Sequence, residues 1–417
     1  MDKFMVQIAI LGLGTVGGGV AEVLCENTKN ISKKIGEEIN IKYILDIRDL
    51  SGHPLADRVV KDIDIILRDP DVSIVAELIG GIHPAYEFSL AALEAGKHVV
   101  TSNKELVAGF GAQLLKAARE HNVRYLFEAS VGGGIPIIRP INICLAANEI
   151  FEINGILNGT TNYILTQMIK KNESFDAALK SAQEKGYAER NPASDIDGID
   201  TCRKICILAA LAFGKAVNPS KVKTEGISAV TPEQVRDAAK YGGAVKLIGY
   251  AGLKEPSDPE AGIYMAVFPC IVPYDNQLAN IEDVYNGILV RGNAVGDVMF
   301  YGKGAGNLPT ASAVVADMID IATGKNGDTA AISWTAAPES YLADYREMAF
   351  SFYVRMPAES FAEGCQAILK DVGPVEFLTK SDEMNGYLSF VTEKMSLKEL
   401  EERMSGLGTP DAVLRIL

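Results

Sequence analysis

The feature that most constrains this 417-residue chain lies near its start. Val6–Leu11 is a short apolar run with strand character. Gly12-Leu13-Gly14-Thr15-Val16-Gly17 follows directly, and Val20–Leu24 continues as a helix. A G-x-G-x-x-G between a strand and a helix is the pattern of dinucleotide-binding folds. Gly12 permits the tight turn, Gly14 lets the backbone approach a pyrophosphate, and Gly17 lets helix and strand pack closely. The helix N-terminus adds free N–H groups and the positive end of its dipole. The glycine pattern alone is a weak signal; its place at residue 12, after a strand, favours nucleotide binding over a structural turn.

The next stretches extend an open parallel sheet. A second strand is expected near Ile41–Ile47, with Asp46, Arg48 and Asp49 at or past its end, where an adenosine ribose is read. An acid there favours NAD and an arginine NADP, so the choice stays open. Ile74–Leu78 and His98–Thr101 read as further strands, ending in Gly80-Gly81 and Ser102-Asn103-Lys104. Ligands sit beyond the carboxyl ends of such strands. That places Lys104 at the crevice; the alternative is an exposed loop lysine. Tyr125–Ala129 reads as one more strand, followed by Gly132-Gly133-Gly134. Three glycines put bare backbone where something approaches closely, or make a hinge. Carbonyls there could hold a small cation. Asn158-Gly159-Thr160-Thr161-Asn162 precedes the helix expected over Tyr163–Lys170, another N-terminus rich in capping groups.

A polar stretch from Gly186 to Lys204 carries Glu189, Asp195, Asp197 and Asp200, and an apolar helix follows at once. From Ile199 on, Cys202, Ile205, Cys206, Ala209 and Phe213 recur at helical spacing and give one core face. Asp200 and Lys204 are i,i+4 neighbours and project the same way. A lysine at the mouth of a buried helix needs a carboxylate partner or a lowered pKa, and either suits a group that handles a polar substrate. A solvated acidic loop ending in a helix is the plainer alternative.

Charge and composition narrow the class. With 54 acids against 40 bases the net charge is -14, which argues against a nucleic-acid partner. No apolar run reaches membrane-spanning length, the start lacks a signal-peptide layout, and six cysteines lack metal-type spacing. A reducing cytoplasm is expected. The four histidines all precede residue 130 and none sits in a polar cluster.

Seven motifs now stand in order: Gly12–Gly17, Glu77–Gly81, Ser102–Lys104, Glu128–Pro136, Asn158–Tyr163, the Gly186–Lys204 stretch, and Gly302-Lys303-Gly304-Ala305-Gly306. In order and spacing the chain resembles homoserine dehydrogenases over roughly residues 4–325. The resemblance implies NAD- or NADP-dependent interconversion of L-homoserine and L-aspartate 4-semialdehyde. It implies Lys204 as proton donor, Lys104 as a second lysine near nicotinamide and substrate, and Asp200 as a catalytic carboxylate. Glu189, Asp195, Lys204 and Thr160 correspond to the substrate pocket. Gly12, Leu13, Gly14, Thr15, Val16, Gly17, Arg48, Gly80, Gly81, Ser102, Lys104 and Gly306 correspond to cofactor contacts. Backbone carbonyls of Glu128, Val131, Gly133 and Ile135 correspond to a sodium site. One departure stands out: the family's Pro-Asp-Pro after the glutamate is Arg190-Asn191-Pro192 here, which bears on loop stiffness and substrate affinity.

The C-terminal third reads as strand Phe350–Arg355, helix Ala358–Leu369, strands Val375–Thr379 and Gly386–Val391, helix Leu397–Ser405 and strand Ala412–Leu417. This β-α-β-β-α-β order resembles an ACT regulatory module, a type that binds threonine in this family. The module's Asp-x-x-Gly is replaced by Met356-Pro357-Ala358-Glu359, so a purely structural role stays open. The expected fold class is α/β, with a Rossmann-type domain over 1–130, completed by 302–325. A substrate and dimerisation domain follows over 131–301, then a linker over 326–347 and a ferredoxin-like ACT-type domain over 348–417. The 302–325 segment is expected to return to the nucleotide domain as the helix Leu308–Ala322. A homodimer or homotetramer is expected, with no membrane or nucleic-acid partner. A non-catalytic NAD(P)-binding sensor, or a dehydrogenase for another small amino alcohol, are the other readings the residues allow.

Overall fold

The first sheet is built from parallel strands β1 (Met5–Leu11), β2 (Glu38–Leu45), β3 (Val59–Val60), β4 (Val72–Glu77), β5 (His98–Thr101) and β6 (Tyr125–Leu126) in the order β3-β2-β1-β4-β5-β6. This computed structural model describes residues 5–324 and 332–417. The strand order is that of doubly wound dinucleotide folds, which reverse direction between β1 and β4. β1 and β4 are apolar on both faces because helices cover both. Ile8, Ile10, Ile74 and Ala76 are sealed in a core shared with Val20 and Leu24 of the helix Thr15–Glu26. The helix Asn307–Thr323 returns late in the chain and adds Ala311, Val314 and Met318 to this core. A side-chain carbon placed on Gly19 would lie 2.0 Å from Asn307 Oδ1 and 3.1 Å from Ala311 Cβ, so the two helices touch nearly backbone to backbone.

The strand expected over Tyr125–Ala129 is shorter: only Tyr125–Leu126 pairs, and Glu128–Ser130 is a single 3-10 turn. The Glu128 carboxylate explains the turn. It accepts from the backbone N–H groups of Ile137 (2.6 Å), Ile138 (2.9 Å) and Arg139 (2.8 Å), which folds the chain back on itself. The Glu128 N–H donates to the Asp317 carboxylate (2.9 Å) instead of to a sheet neighbour.

By internal packing the chain divides into two compact units. One comprises residues up to 150, 203–221 and 291–337. The other comprises 151–202, 222–290 and 338–417. In the second unit the antiparallel pair Gly243–Leu253 and Ile263–Pro273 runs in register from Gly243 opposite Pro273 to Leu253 opposite Ile263. Ile150–Ile156 flanks Gly243–Leu253. On the other side Ala412–Ile416 pairs in parallel with Ile263–Pro273, then with Ala349–Pro357, which pairs with Tyr387–Thr392 and Val375–Phe377. The C-terminal strands and helices Phe361–Asp371 and Leu397–Met404 follow the expected order. Their sheet is continuous with the strands before it.

Of the expected linker, 326–331 lies outside the described residues. The rest is packed, not loose. Trp334 is buried edge-on to Phe127 at 5.4 Å, Thr335–Ala336 pairs with Lys215–Ala216, and Tyr341 is buried. Among the described residues, no helix is long and apolar enough to cross a membrane.

The returning helix is tied by ions as well as by packing. Arg124 donates to Asp320 (2.8 Å), and Arg139 lies 3.3 Å from both Asp317 and Asp320. Burial, reinforced by the Glu128 charge, outweighs Arg139 and pushes the Asp317 carboxyl up to about 8. In the unfolded chain the same group titrates near 3.8. Between those values the native state holds a proton that the unfolded chain has lost, so stability falls as pH rises through that range and levels off above it. The melting temperature of the parent is therefore expected to fall from about pH 5 to about pH 8 more steeply than that of Asp317→Asn. Parallel thermal melts of the two across this range check it; equal slopes would remove the assignment.

Candidate functional site

The carboxyl ends of β1, β2, β4 and β5 meet along one edge of the first sheet. Gly12 sits at φ +92°, a backbone region that favours glycine, and its N–H donates to Leu45 O at the end of β2 (2.8 Å). A side-chain carbon on Gly17 would lie 2.1 Å from Gly12 O, so no other residue fits there. Gly14 is the opposite case. It is exposed, with nothing within 4 Å of the position a side chain would take. The turn is thus closed toward the protein and open toward solvent at the N-terminus of helix Thr15–Glu26, as a bound pyrophosphate requires.

Asp46 and Arg48 do not compete for the ribose position; they pair. Arg48 donates to Asp46 through Nε (2.9 Å) and Nη2 (2.6 Å), and the Leu13 N–H donates to the same carboxylate (2.9 Å). The Arg48 guanidinium, helped by these backbone donors and against the cost of burial, holds the Asp46 carboxyl far below the usual range. Lys61 donates to the carbonyls of Asp46 (2.7 Å) and Arg48 (2.6 Å). The acid is consumed in pinning the glycine turn, and the rim beside it is left with exposed Arg48 and Lys61 at its backbone.

A second carboxylate organises the edge by β4 and β5. Glu77 is fully buried, and burial raises its pKa despite the hydrogen bonds it accepts. It takes the Ile79 N–H (2.9 Å) and the Thr101 hydroxyl (2.8 Å). Thr101 Oγ1 accepts from the Asn103 N–H (2.9 Å). Asn103 Nδ2 donates to Gly81 O (2.6 Å), and Asn103 Oδ1 caps the helix Lys104–Glu120 by accepting from Leu106 N (3.1 Å). Gly80-Gly81 and Lys104 are therefore fixed by one network, with Ser102 and Lys104 half-buried.

Lys204 is buried on the helix Ile199–Phe213, one turn after buried Asp200. Its neighbour Arg203 forms a 2.5 Å ion pair with Glu105, the neighbour of Lys104. That bond ties together the helix starts that carry the two lysines.

The glycines at 132–134 meet protein backbone. A side-chain carbon on Gly133 would lie 2.5 Å from Gly304 O, and the Gly134 N–H donates to Lys303 O (3.0 Å). Gly306, at φ +126°, follows and begins the helix Asn307–Thr323. Among the described residues, the carbonyls of Val131, Gly133 and Ile135 accept no backbone hydrogen bond, which leaves oxygen lone pairs suited to a hard cation.

In the second unit the acids gather on Asn158. Its Oδ1 caps the helix Gly159–Lys171 (Thr161 N, 2.9 Å), and its Nδ2 donates to Asp195 (2.7 Å) and Asp200 (2.9 Å). Thr160 donates to Tyr187 O (2.7 Å), which anchors the start of the polar stretch. Glu189 is exposed, with its carbonyl accepting from Gln183 (3.2 Å). Sequence reasoning missed Asn158 as the link between the acids, Glu77 as the organiser of the β4–β5 edge, and the Glu105–Arg203 pair. Asn103 and Asn158 carried a signal, each standing just before a helix, where asparagine caps.

The family model described as "Homoserine dehydrogenase, NAD binding domain" matches residues 12–128, and the one described as "Homoserine dehydrogenase" matches 136–319. A homoserine dehydrogenase of Synechocystis is 43% identical over 319 residues, 76% of this chain and 73% of the relative. The crystal structure of a homoserine dehydrogenase from Thiobacillus denitrificans superposes with a TM-score of 0.86 at 35% identity, over 99% of this chain and 98% of that one. A hyperthermophilic archaeal homoserine dehydrogenase in complex with NADPH matches with a TM-score of 0.66 at 27% identity, over 78% of this chain and 99% of that one.

Two glycine replacements separate structure from binding. Gly17→Ala is expected to cost about 1–3 kcal/mol by overpacking and to lower the melting temperature. Gly14→Ala is expected to leave the melting temperature unchanged while raising KM for the dinucleotide. Melts and steady-state kinetics on both variants check this; equal loss of stability in the two would contradict the geometry.

Proposed function

This chain belongs to the homoserine dehydrogenase family, and from that premise we propose the roles of its residues and its cofactor preference. It is an NAD(P)-dependent oxidoreductase acting on a CH–OH group, and its substrates are L-homoserine and L-aspartate 4-semialdehyde. The nicotinamide, when bound, gives or accepts the hydride at the substrate's terminal carbon. The chain's own residues manage the proton and the zwitterion. Lys204 donates a proton to the aldehyde oxygen as hydride arrives and takes it back in the reverse direction. Lys104 lies beside the same reacting group, and Asp200 holds the lysine in place. Glu189 and Asp195 take the substrate ammonium, with Thr160 fixing the loop that carries Glu189.

The observation that carries this reading is the 2.5 Å Glu105–Arg203 pair, which ties the helix starts bearing Lys104 and Lys204 at the edge where Gly80-Gly81 ends β4. Positioned acid catalysis is worth about 10²–10⁴-fold. Lys204→Ala should therefore lose about that factor in kcat with homoserine while the dinucleotide KM holds. NAD(P)H absorbance in a homoserine-dependent assay reads it, and near-parental turnover would remove Lys204 from the role.

The preferred cofactor is NADP. With Asp46 already paired, the ribose edge presents the exposed Arg48 guanidinium beside the exposed Asp49, and the guanidinium suits a 2′-phosphate. Arg48→Ala should raise KM for NADPH by at least about tenfold, the worth of one exposed charge-assisted contact, and change KM for NADH little. An equal rise for both would point to a general loosening of the glycine turn.

The carbonyls of Glu128, Val131, Gly133 and Ile135 would hold a sodium ion, which would stiffen the turn after β6. The C-terminal block is a ferredoxin-like, ACT-type module with threonine as its candidate effector, and the chain works as a homodimer or homotetramer in the cytoplasm.

A further inference from the structure

Lys246, on the strand Gly243–Leu253, is only 1% exposed. Among the described residues its Nζ touches no carboxylate. It donates to Ile281 O (2.5 Å) and to Asn162 Oδ1 (3.4 Å). Burial pulls its pKa down to about 8, opposed by the nearby Glu282 and Asp283 charges and aided by Lys170. A charge kept in such a place is costly, and apolar packing in its stead is often neutral or stabilising. The contacts of Lys246 show what it holds.

Both acceptors belong to one node. Asn162, also 1% exposed, turns its Oδ1 toward the ammonium, and its Nδ2 donates to three carbonyls of one loop: Ile281 (3.2 Å), Asp283 (3.1 Å) and Tyr285 (3.0 Å). The ammonium sets which way this amide points, because the flipped amide would aim its oxygen at the carbonyls and its NH2 group at the cation. Thr166 adds a further tie, its Oγ1 accepting from the Asp283 N–H (2.9 Å). The loop needs these ties, since Asp283 sits at φ +54°, a region that costs a residue with a side chain. Held this way, the loop lays the backbone of Val284 on Gly159, where a side-chain carbon would lie 2.7 Å from Val284 O. Gly159 is the first residue of the helix that Asn158 caps, and Asn158 is the donor to Asp195 and Asp200. All of these residues belong to one compact unit.

We propose that Lys246 is a positioning residue for the amino-acid substrate: by orienting Asn162 it locks the loop 281–285 against Gly159, and the loop in turn fixes where Asn158 holds the two acids. Lys246 acts through these groups and takes no part in proton transfer. The inference rests on the reading of Asp195 as an acid of the substrate pocket.

Lys246→Met keeps the length of the stem and removes the charge, so the melting temperature should stay at or above the parental value. Steady-state kinetics should show KM for homoserine raised at least about tenfold, within the factor of about 100 that a small misplacement can cost, with KM for the dinucleotide unchanged. A parental KM for homoserine in folded Lys246→Met, or equal rises for homoserine and dinucleotide, would overturn the proposal. Should that variant not fold, Thr166→Val, which unpairs the same loop at Asp283, is read by the same two outcomes. Asp195→Asn, assayed beside them, separates the two readings. Homoserine KM raised there and parental in Lys246→Met counts against this inference alone. Homoserine KM parental in Asp195→Asn removes the pocket reading, and the inference with it.

Discussion

Backbone N–H groups closing on buried carboxylates fix the loops along the nucleotide edge. Asp46 holds the glycine turn through Leu13, Glu77 holds the end of β4 through Ile79, and Glu128 turns the chain after β6 through three successive N–H groups. Each such bond to a charged group is worth about 1.5–3 kcal/mol, more than most neutral ones. More important is the cost of breaking them. A buried carboxylate left without its donors pays a desolvation penalty, so each loop has one geometry and not several. Gly80-Gly81, Lys104 and the glycine turn inherit their positions from these acids.

The same device orders the polar stretch. Asn158 is both a helix cap and the donor to two acids, so a single side chain fixes the start of one helix and the spacing of Asp195 and Asp200. Like charges brought close repel, and an amide donating to both reduces that cost without adding charge. The Glu105–Arg203 pair does the corresponding work for the lysines, holding two helix starts that lie 98 residues apart in sequence.

Much of this was legible before any coordinates. The strands β1, β2, β4 and β5, the helix Ile199–Phe213 and the returning helix Asn307–Thr323 follow from apolar runs and helical spacing. The order of elements after Met348 followed from the same patterns. The strand drawn through Ala129 failed because periodicity does not register a carboxylate nine residues from its donors. The place of Trp334 within the expected linker, against Phe127 and Gly111, is not legible in local spacing because those partners lie far away in sequence.

The sequence by itself determined the dinucleotide-binding half and the family to which the motifs point. These depend on local spacing, on a glycine where no other residue fits and on side chains one helical turn apart. Tertiary structure decided what each charge is used for. Asp46 and Arg48 stood together in the sequence with no ranking between them; the fold spends the acid on the glycine turn and leaves the arginine at the rim. It also buried the Lys246 ammonium against a loop carbonyl. Such outcomes turn on which distant donors reach a carboxylate first and how much water each group loses, and neither quantity is written in local spacing.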